Sequence, residues 1–168
     1  MSDYLQSAFA THIPFMELAL RFVAAIVLGG IIGFEREWRD HAAGLRSHIL
    51  VSVSAACFAI ISLEMSMGGH FAGDQIRFDP MRLVESITAG VAFLAAGFII
   101  LRHGEVKGIT TGAGMWLAGA IGLASGLGMF AIACVASAIG ILTLAALRQM
   151  EKRFDMRGNG NDQKEAGK

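Results

Sequence analysis

From Gly108 to Leu147 the chain runs for 40 residues without a charged side chain. A helix needs about 20 mostly apolar residues to cross the hydrocarbon core of a bilayer, so this run is long enough for two crossings. Ser125-Gly126-Leu127-Gly128, near its middle, supplies the break between them. Three earlier stretches have the same character: about Phe15 to Phe34, preceded by Pro14; about Ser47 to Met67; and about Leu83 to Leu101. Proline suits the first turn of a helix. The expected architecture is all-α, a polytopic membrane helix bundle with about five transmembrane helices at 15–34, 47–67, 83–101, 108–125 and 128–147. The glycines of the fourth would equally suit a re-entrant segment buried in protein.

Composition points the same way. Hydrophobic residues make up 54% of the 168, a further 21 are glycine, 17% are charged, and the mean hydropathy is +0.56. Soluble domains carry about 25% charged residues, and a soluble chain of this size has no core large enough to hide so much apolar surface. With 14 basic and 14 acidic residues the formal charge is zero, which removes the bulk basic field that would suggest nucleic acid. Cys57 and Cys134 lie far apart within apolar runs, which is neither a disulfide framework nor a metal-ligand spacing. Residues 1–14 hold no Lys or Arg, so no cleavable signal peptide is expected. The chain divides into an N-terminal extension at 1–14, a transmembrane domain at 15–147 and a charged tail at 148–168, expected to be disordered beyond about Arg157.

The basic residues predict an orientation. With five spans, 35–46, 102–107 and the tail share one side and hold 11 of the 14; Arg77 and Arg82 lie on the other, and Arg21 is inside the first helix. The positive-inside rule puts the 11-residue side in the cytoplasm, leaving the N-terminus outside. Between helices in lipid, close backbone approach at small residues replaces the hydrophobic effect. Gly29 and Gly33 form a GxxxG on the first helix, and Gly114, Ala118, Gly122 and Gly126 recur every fourth residue on the fourth. These positions are expected to pack against other helices, with the fourth helix central.

Charges within or beside the spans are the functional candidates, because an ionised group at mid-bilayer costs several kcal/mol at least. Glu17 and Arg21 read as a boundary ion pair that snorkels outward, and Glu64 and Glu85 as interfacial. The densest cluster is Glu35-Arg36-Glu37-Trp38-Arg39-Asp40-His41. Its carboxylates suit Mg²⁺ in type, but the interleaved arginines neutralise them, so a salt-bridge network is expected and no metal site. Ser47 is the expected N-cap of the second helix. Arg46 opposes that helix's dipole, so a carboxylate partner is expected, with Glu35 the first choice. His48 reads as a hydrogen-bonded structural histidine, with a pH switch as the alternative. Asp79, paired with Arg82, reads as an N-cap before Pro80, and Thr110 and Thr111 open the fourth helix with hydroxyls that cap or back-bond. The sequence holds no P-loop, GxSxG or HExxH motif, so no catalytic residues, cofactor or enzyme activity are expected.

Gly29-Gly30-Ile31-Ile32-Gly33-Phe34-Glu35-Arg36-Glu37 and Ala43-Gly44-Leu45-Arg46-Ser47-His48 resemble the signature of the MgtC/SapB membrane proteins. The resemblance continues through Asp79-Pro80-x-Arg82, the stretch from Gly90 to Gly97, Gly108-Ile109-Thr110-Thr111, and Trp116 with the Ala/Gly-rich text after it. It covers about 15–147. Ser47 stands where the family usually has Thr, Ala92 and Ala95 occupy glycine positions, and Gly112 stands where Ala is common. The resemblance implies a small bacterial inner-membrane protein linked to growth at low Mg²⁺, to survival inside macrophages, and to regulation of other membrane proteins, including the ATP synthase. Many members carry a C-terminal ACT-like domain, and residues 148–168 are too few to hold one.

Three function classes follow, with an enzyme a distant third. The first is a non-enzymatic regulator whose partners are the lipid bilayer and other membrane proteins, or a second copy of the chain. The alternative is a cation transporter or channel, in which paired charges line a hydrated cavity. Nucleic acid is not expected as a partner.

Overall fold

The computed structural model describes residues 11–38, 41–67, 79–102 and 105–165. Most of the N-terminal extension, Arg39, Asp40 and the loop residues 68–78 lie outside the described residues. The described part is helical: α1 (Phe15–Glu37), α2 (Leu45–Met67), α3 (Pro80–Ala96), α4 (Ile109–Gly126) and α5 (Phe130–Glu165), with a small hairpin, β1 (Ile100–Arg102) and β2 (Glu105–Lys107), between α3 and α4. At 1.5 Å per residue, the 23 residues of α1 and of α2 span about 35 Å each, which exceeds a hydrocarbon core of about 30 Å. Both are long and apolar enough to cross a membrane, by length and composition. The apolar part of α5, Phe130–Ala146, is shorter, and the charged residues expected as a tail continue the same helix to Glu165.

Polar side chains are buried among the apolar core, while many large apolar ones face outward. Arg36, His48, Ser52 and Ser125 are among the largest fully buried side chains, whereas Leu20, Val23, Phe58, Phe93, Val135 and Leu142 are each more than half exposed. Apolar surface on this scale is a contact surface rather than a solvated one.

Helix α4 touches each of the other four helices, and small residues let it do so. A Cβ added at Gly122 would lie 2.0 Å from the backbone oxygen of Ser52 on α2, and one at Gly126 would lie 2.5 Å from that of Ala56. On α1, a Cβ at Gly29 would meet Ser52 Cβ at 2.5 Å, and one at Gly33 would meet His48 Cβ at 2.8 Å. On the other flank Gly119 faces Val91 of α3, and Gly112 faces the backbone of Ala95. The α1–α2–α4 core is therefore in near-backbone contact along its length, as small-residue interfaces in membranes permit.

Local chemistry sets the element ends, in places away from the expected ones. Pro80 occupies the first position of α3 and Asp79 accepts from Met81 N at 3.0 Å, so this cap lies where the sequence placed it. The helix then ends at Ala96 instead of continuing to Leu101. Gly97 closes it, and the β-branched Ile99, Ile100 and Val106 favour the hairpin, in which Ile100 pairs with Lys107 and Leu101 with Val106. The polar turn expected at 102–107 is thus part of a strand pair. Gly108 is required where the hairpin meets α4: its φ is +90°, and a Cβ there would lie 1.9 Å from the Phe98 carbonyl oxygen. The break between α4 and α5 is a Schellman arrangement, with Gly128 at φ +77°, Gly128 N donating to Ser125 O and Met129 N donating to Ala124 O.

Candidate functional site

The end of α1 and the starts of α2 and α4 meet in one polar junction. Arg36 is 2% exposed, and its Nη2 donates to Thr111 Oγ1 at 2.7 Å, joining α1 to α4. His48, on α2, has no exposed surface and bonds the Gly44 carbonyl oxygen through Nδ1 at 2.8 Å. A carbonyl only accepts, so Nδ1 carries the proton. The other ring nitrogen, Nε2, points at α4, where a Cβ added to Gly114 would lie 3.0 Å from it. Thr111 and Gly114 are one turn apart on α4, as are Gly33 and Arg36 on α1, so the two contacts stack along one seam.

Glu37 ties the α1–α2 connection. Its Oε2 accepts from Leu45 N at 2.9 Å, which satisfies one of the orphan donors at the start of α2 and sets negative charge at the positive end of its dipole. Gly44 is needed beside it, since a Cβ there would collide with the same carboxylate oxygen. Because this cap starts α2 at Leu45, Ser47 falls inside the helix and is not its N-cap, which corrects that expectation.

The Arg46–Glu35 pair does not form: Arg46 is exposed and has no ion pair among the described residues. The dipole conflict that motivated it is met by the carboxylate of Glu37 and by solvent access for Arg46, while the Glu35 carboxylate oxygens are themselves buried. Arg36, the neighbouring arginine, is the one that turns inward. Asp79 and Arg82 are both exposed, and Asp79 serves its helix as a cap rather than binding Arg82. Of the two threonines, Thr110 is exposed and Thr111 is buried. Neither hydroxyl caps α4, whose N-cap is Gly108. Thus Arg36, Glu37, His48, Thr111, Gly33 and Gly114 come together, with Glu35 at the edge. Arg46, Ser47 and Thr110 flank the junction, and Asp79 and Arg82 lie at the start of α3.

A second polar contact sits near the other end of the bundle. Arg21 pairs with Glu17 as expected, but instead of snorkelling outward it is 8% exposed and its Nη1 donates to the Gly126 carbonyl at 2.7 Å. It caps the C-terminus of α4, the negative end of that helix's dipole. Glu64, at the end of α2, accepts from His12 N and Ile13 N at 2.9 Å each and from His12 Nδ1 at 3.0 Å, and so holds the chain entering α1. Ser52 donates to the Ala25 carbonyl at 2.8 Å. The signal for Arg21 and Ser52 was present as polar residues inside otherwise apolar text. Which carbonyl each would reach depends on helix placement, which the text does not contain. No group of three or more His, Cys, Asp or Glu able to hold a metal ion occurs among the described residues.

The comparisons place this arrangement in a family. A family model described as the MgtC family matches residues 22–153. The "Putative magnesium transporter YhiD" of Escherichia coli (strain K12) is 34% identical over 138 residues, covering 82% of this chain and 64% of that protein. "Protein MgtC" of Brucella abortus (strain 2308) is 37% identical over 137 residues, covering 82% of this chain and 54% of the relative. "Protein MgtC" of Salmonella typhimurium (strain 14028s / SGSC 2262) is 35% identical over 136 residues, covering 81% and 54%. The matched region thus spans between about half and two thirds of each of these curated relatives. No solved structure matches. The polar junction between α1, α2 and α4 falls wholly within the matched residues, and the chain belongs to the MgtC family.

Proposed function

We propose that this chain is a multi-pass protein of the bacterial inner membrane that regulates other membrane proteins in the service of magnesium homeostasis, without enzymatic activity. The carrying observation is the closure of the α1–α2–α4 core. At Gly122 a single added carbon would lie 2.0 Å from the Ser52 carbonyl oxygen, a separation that leaves no width for a hydrated ion. The two arginines buried in the bundle, Arg21 and Arg36, are bonded to fixed protein oxygens, and cationic groups oppose a path for Mg²⁺, although the carboxylate oxygens of Glu35 are buried as well. The exterior offers apolar helix faces and, at one end, exposed charges from the α1–α2 connection. These are the elements with which a membrane protein binds another.

The five helices cross the bilayer in this reading, with the N-terminus outside and the polar junction on the cytoplasmic side, as the 11 basic residues of that side favour. One specific observation favours the transporter alternative: the relative from Escherichia coli is named a putative magnesium transporter. Affinity capture from native membranes after in-membrane cross-linking tests the regulatory reading. It expects a defined membrane-protein partner whose recovery drops when residues at the exposed α1–α2 connection are changed. Recovery of the chain alone, at every cross-linker length, contradicts the proposal.

A further inference from the structure

We infer that the α1–α2–α4 junction is a binding site for one internal water molecule, held between the Thr111 hydroxyl and His48 Nε2. Thr111 Oγ1 accepts from Arg36 at 2.7 Å, so its own proton is directed elsewhere and is available to a second acceptor. His48 gives its Nδ1 proton to the Gly44 carbonyl, so Nε2 presents a lone pair. That atom is fully buried and has no hydrogen-bond partner among the described residues, and a buried acceptor left unmet is destabilising. A donor and an acceptor therefore face the same seam and do not bond to each other.

Their chemistry identifies the ligand. Nε2 lies against Gly114, three residues after Thr111 and on the same face of α4. Water accepts from the hydroxyl and donates to the imidazole, whereas an anion would meet the lone pair of Nε2 with like charge, and a cation would meet the Arg36 guanidinium. Gly114 supplies the room, since a Cβ there would stand 3.0 Å from Nε2 and occupy the approach. Buried waters typically satisfy groups of this kind, and here the water hydrogen-bonds α2 to α4, a link that no side chain makes among the described residues.

Solid-state NMR of the full chain in liposomes, labelled with ¹⁵N-histidine and ¹⁵N-isoleucine, reads this directly. The His48 signals are assigned by their loss in His48→Gln. If that variant does not fold, they are assigned in a chain whose other four histidines (His12, His41, His70, His103) are Gln. The expected ring is neutral, protonated at Nδ1, with Nε2 shifted by an accepted hydrogen bond, and receives polarisation from water several-fold faster than fully buried Ile121. Gly114→Ala is expected to abolish that transfer while leaving the Nδ1 proton bound. A doubly protonated ring, a free Nε2 lone pair, transfer no faster than at Ile121, or undiminished transfer in Gly114→Ala would each overturn the site.

Discussion

Arg36 donates to Thr111 across 75 positions of chain, and this 2.7 Å contact is where the end of α1 meets the start of α4. A guanidinium that is 2% exposed has left bulk water, so each fixed oxygen that meets it carries weight. Between these two residues the bundle fixes the relative height of α1 and α4, and His48 completes the same junction from α2.

Thr111→Val keeps the shape of the side chain and removes the acceptor. Hydrogen bonds to charged groups contribute about 1.5–3 kcal/mol, so the variant is expected to unfold at a clearly lower temperature in detergent, with Thr111→Ser close to the parent. Thr110→Val, at an exposed position, serves as the control and is expected to change little. Equal effects from the two valine variants would contradict the assignment.

Glycine positions separate by what surrounds them. Gly122→Leu has to push α2 from α4, because even the first carbon would overlap the Ser52 carbonyl. The expected result is lost folded yield or an altered elution position on detergent chromatography. Nothing lies within 4 Å of a Cβ at Gly90 on α3, so Gly90→Ala is expected to be neutral or to stabilise by up to about 1 kcal/mol through helix propensity. A well-folded Gly122→Leu would show that α4 does not pack as described.

The charged α1–α2 connection makes a third contrast. Glu37 caps α2, and loss of a helix cap costs about 1 kcal/mol. Glu37→Ala is expected to lower the midpoint of thermal unfolding, while Arg46→Lys, at an exposed position without an ion pair among the described residues, is expected to leave it unchanged. Destabilisation by Arg46→Lys with tolerance of Glu37→Ala would restore the pairing first expected from the sequence.

Arg21 offers a test at the opposite end. Its fork spans Glu17 and the Gly126 carbonyl, a geometry that lysine, with a single ammonium, does not reproduce. Arg21→Lys is expected to destabilise the protein and to loosen the α4–α5 connection, read as faster hydrogen exchange at Gly128 and Met129. Unchanged exchange there would place Arg21 in the role of a boundary charge only.

The apolar runs made the helices legible as helices, and two of them, α1 and α2, are long and apolar enough to cross a membrane. The small-residue spacings at Gly29, Gly33, Gly114 and Gly122 likewise lie on the faces that meet in the structure. The hairpin at Ile100–Lys107 was not legible: three-residue strands written in Ile, Leu and Val continue an apolar helix without a change of composition. The polar cluster was visible as a cluster but not as contacts. The sequence pointed to Arg46 as the arginine with a specific partner, whereas Arg36 is the one buried. The cap that starts α2 comes from Glu37, eight residues back along the chain. Thr111 and Arg36 are 75 residues apart, and no local pattern connects them.

Magnesium flux into proteoliposomes tests the central claim most directly. The purified full chain, reconstituted with an internal Mg²⁺ indicator and driven by either an ion gradient or a membrane potential, is expected to match protein-free liposomes, as a core closed at Gly122 and Ser52 requires. Saturable Mg²⁺ entry that scales with protein content would contradict the regulatory account.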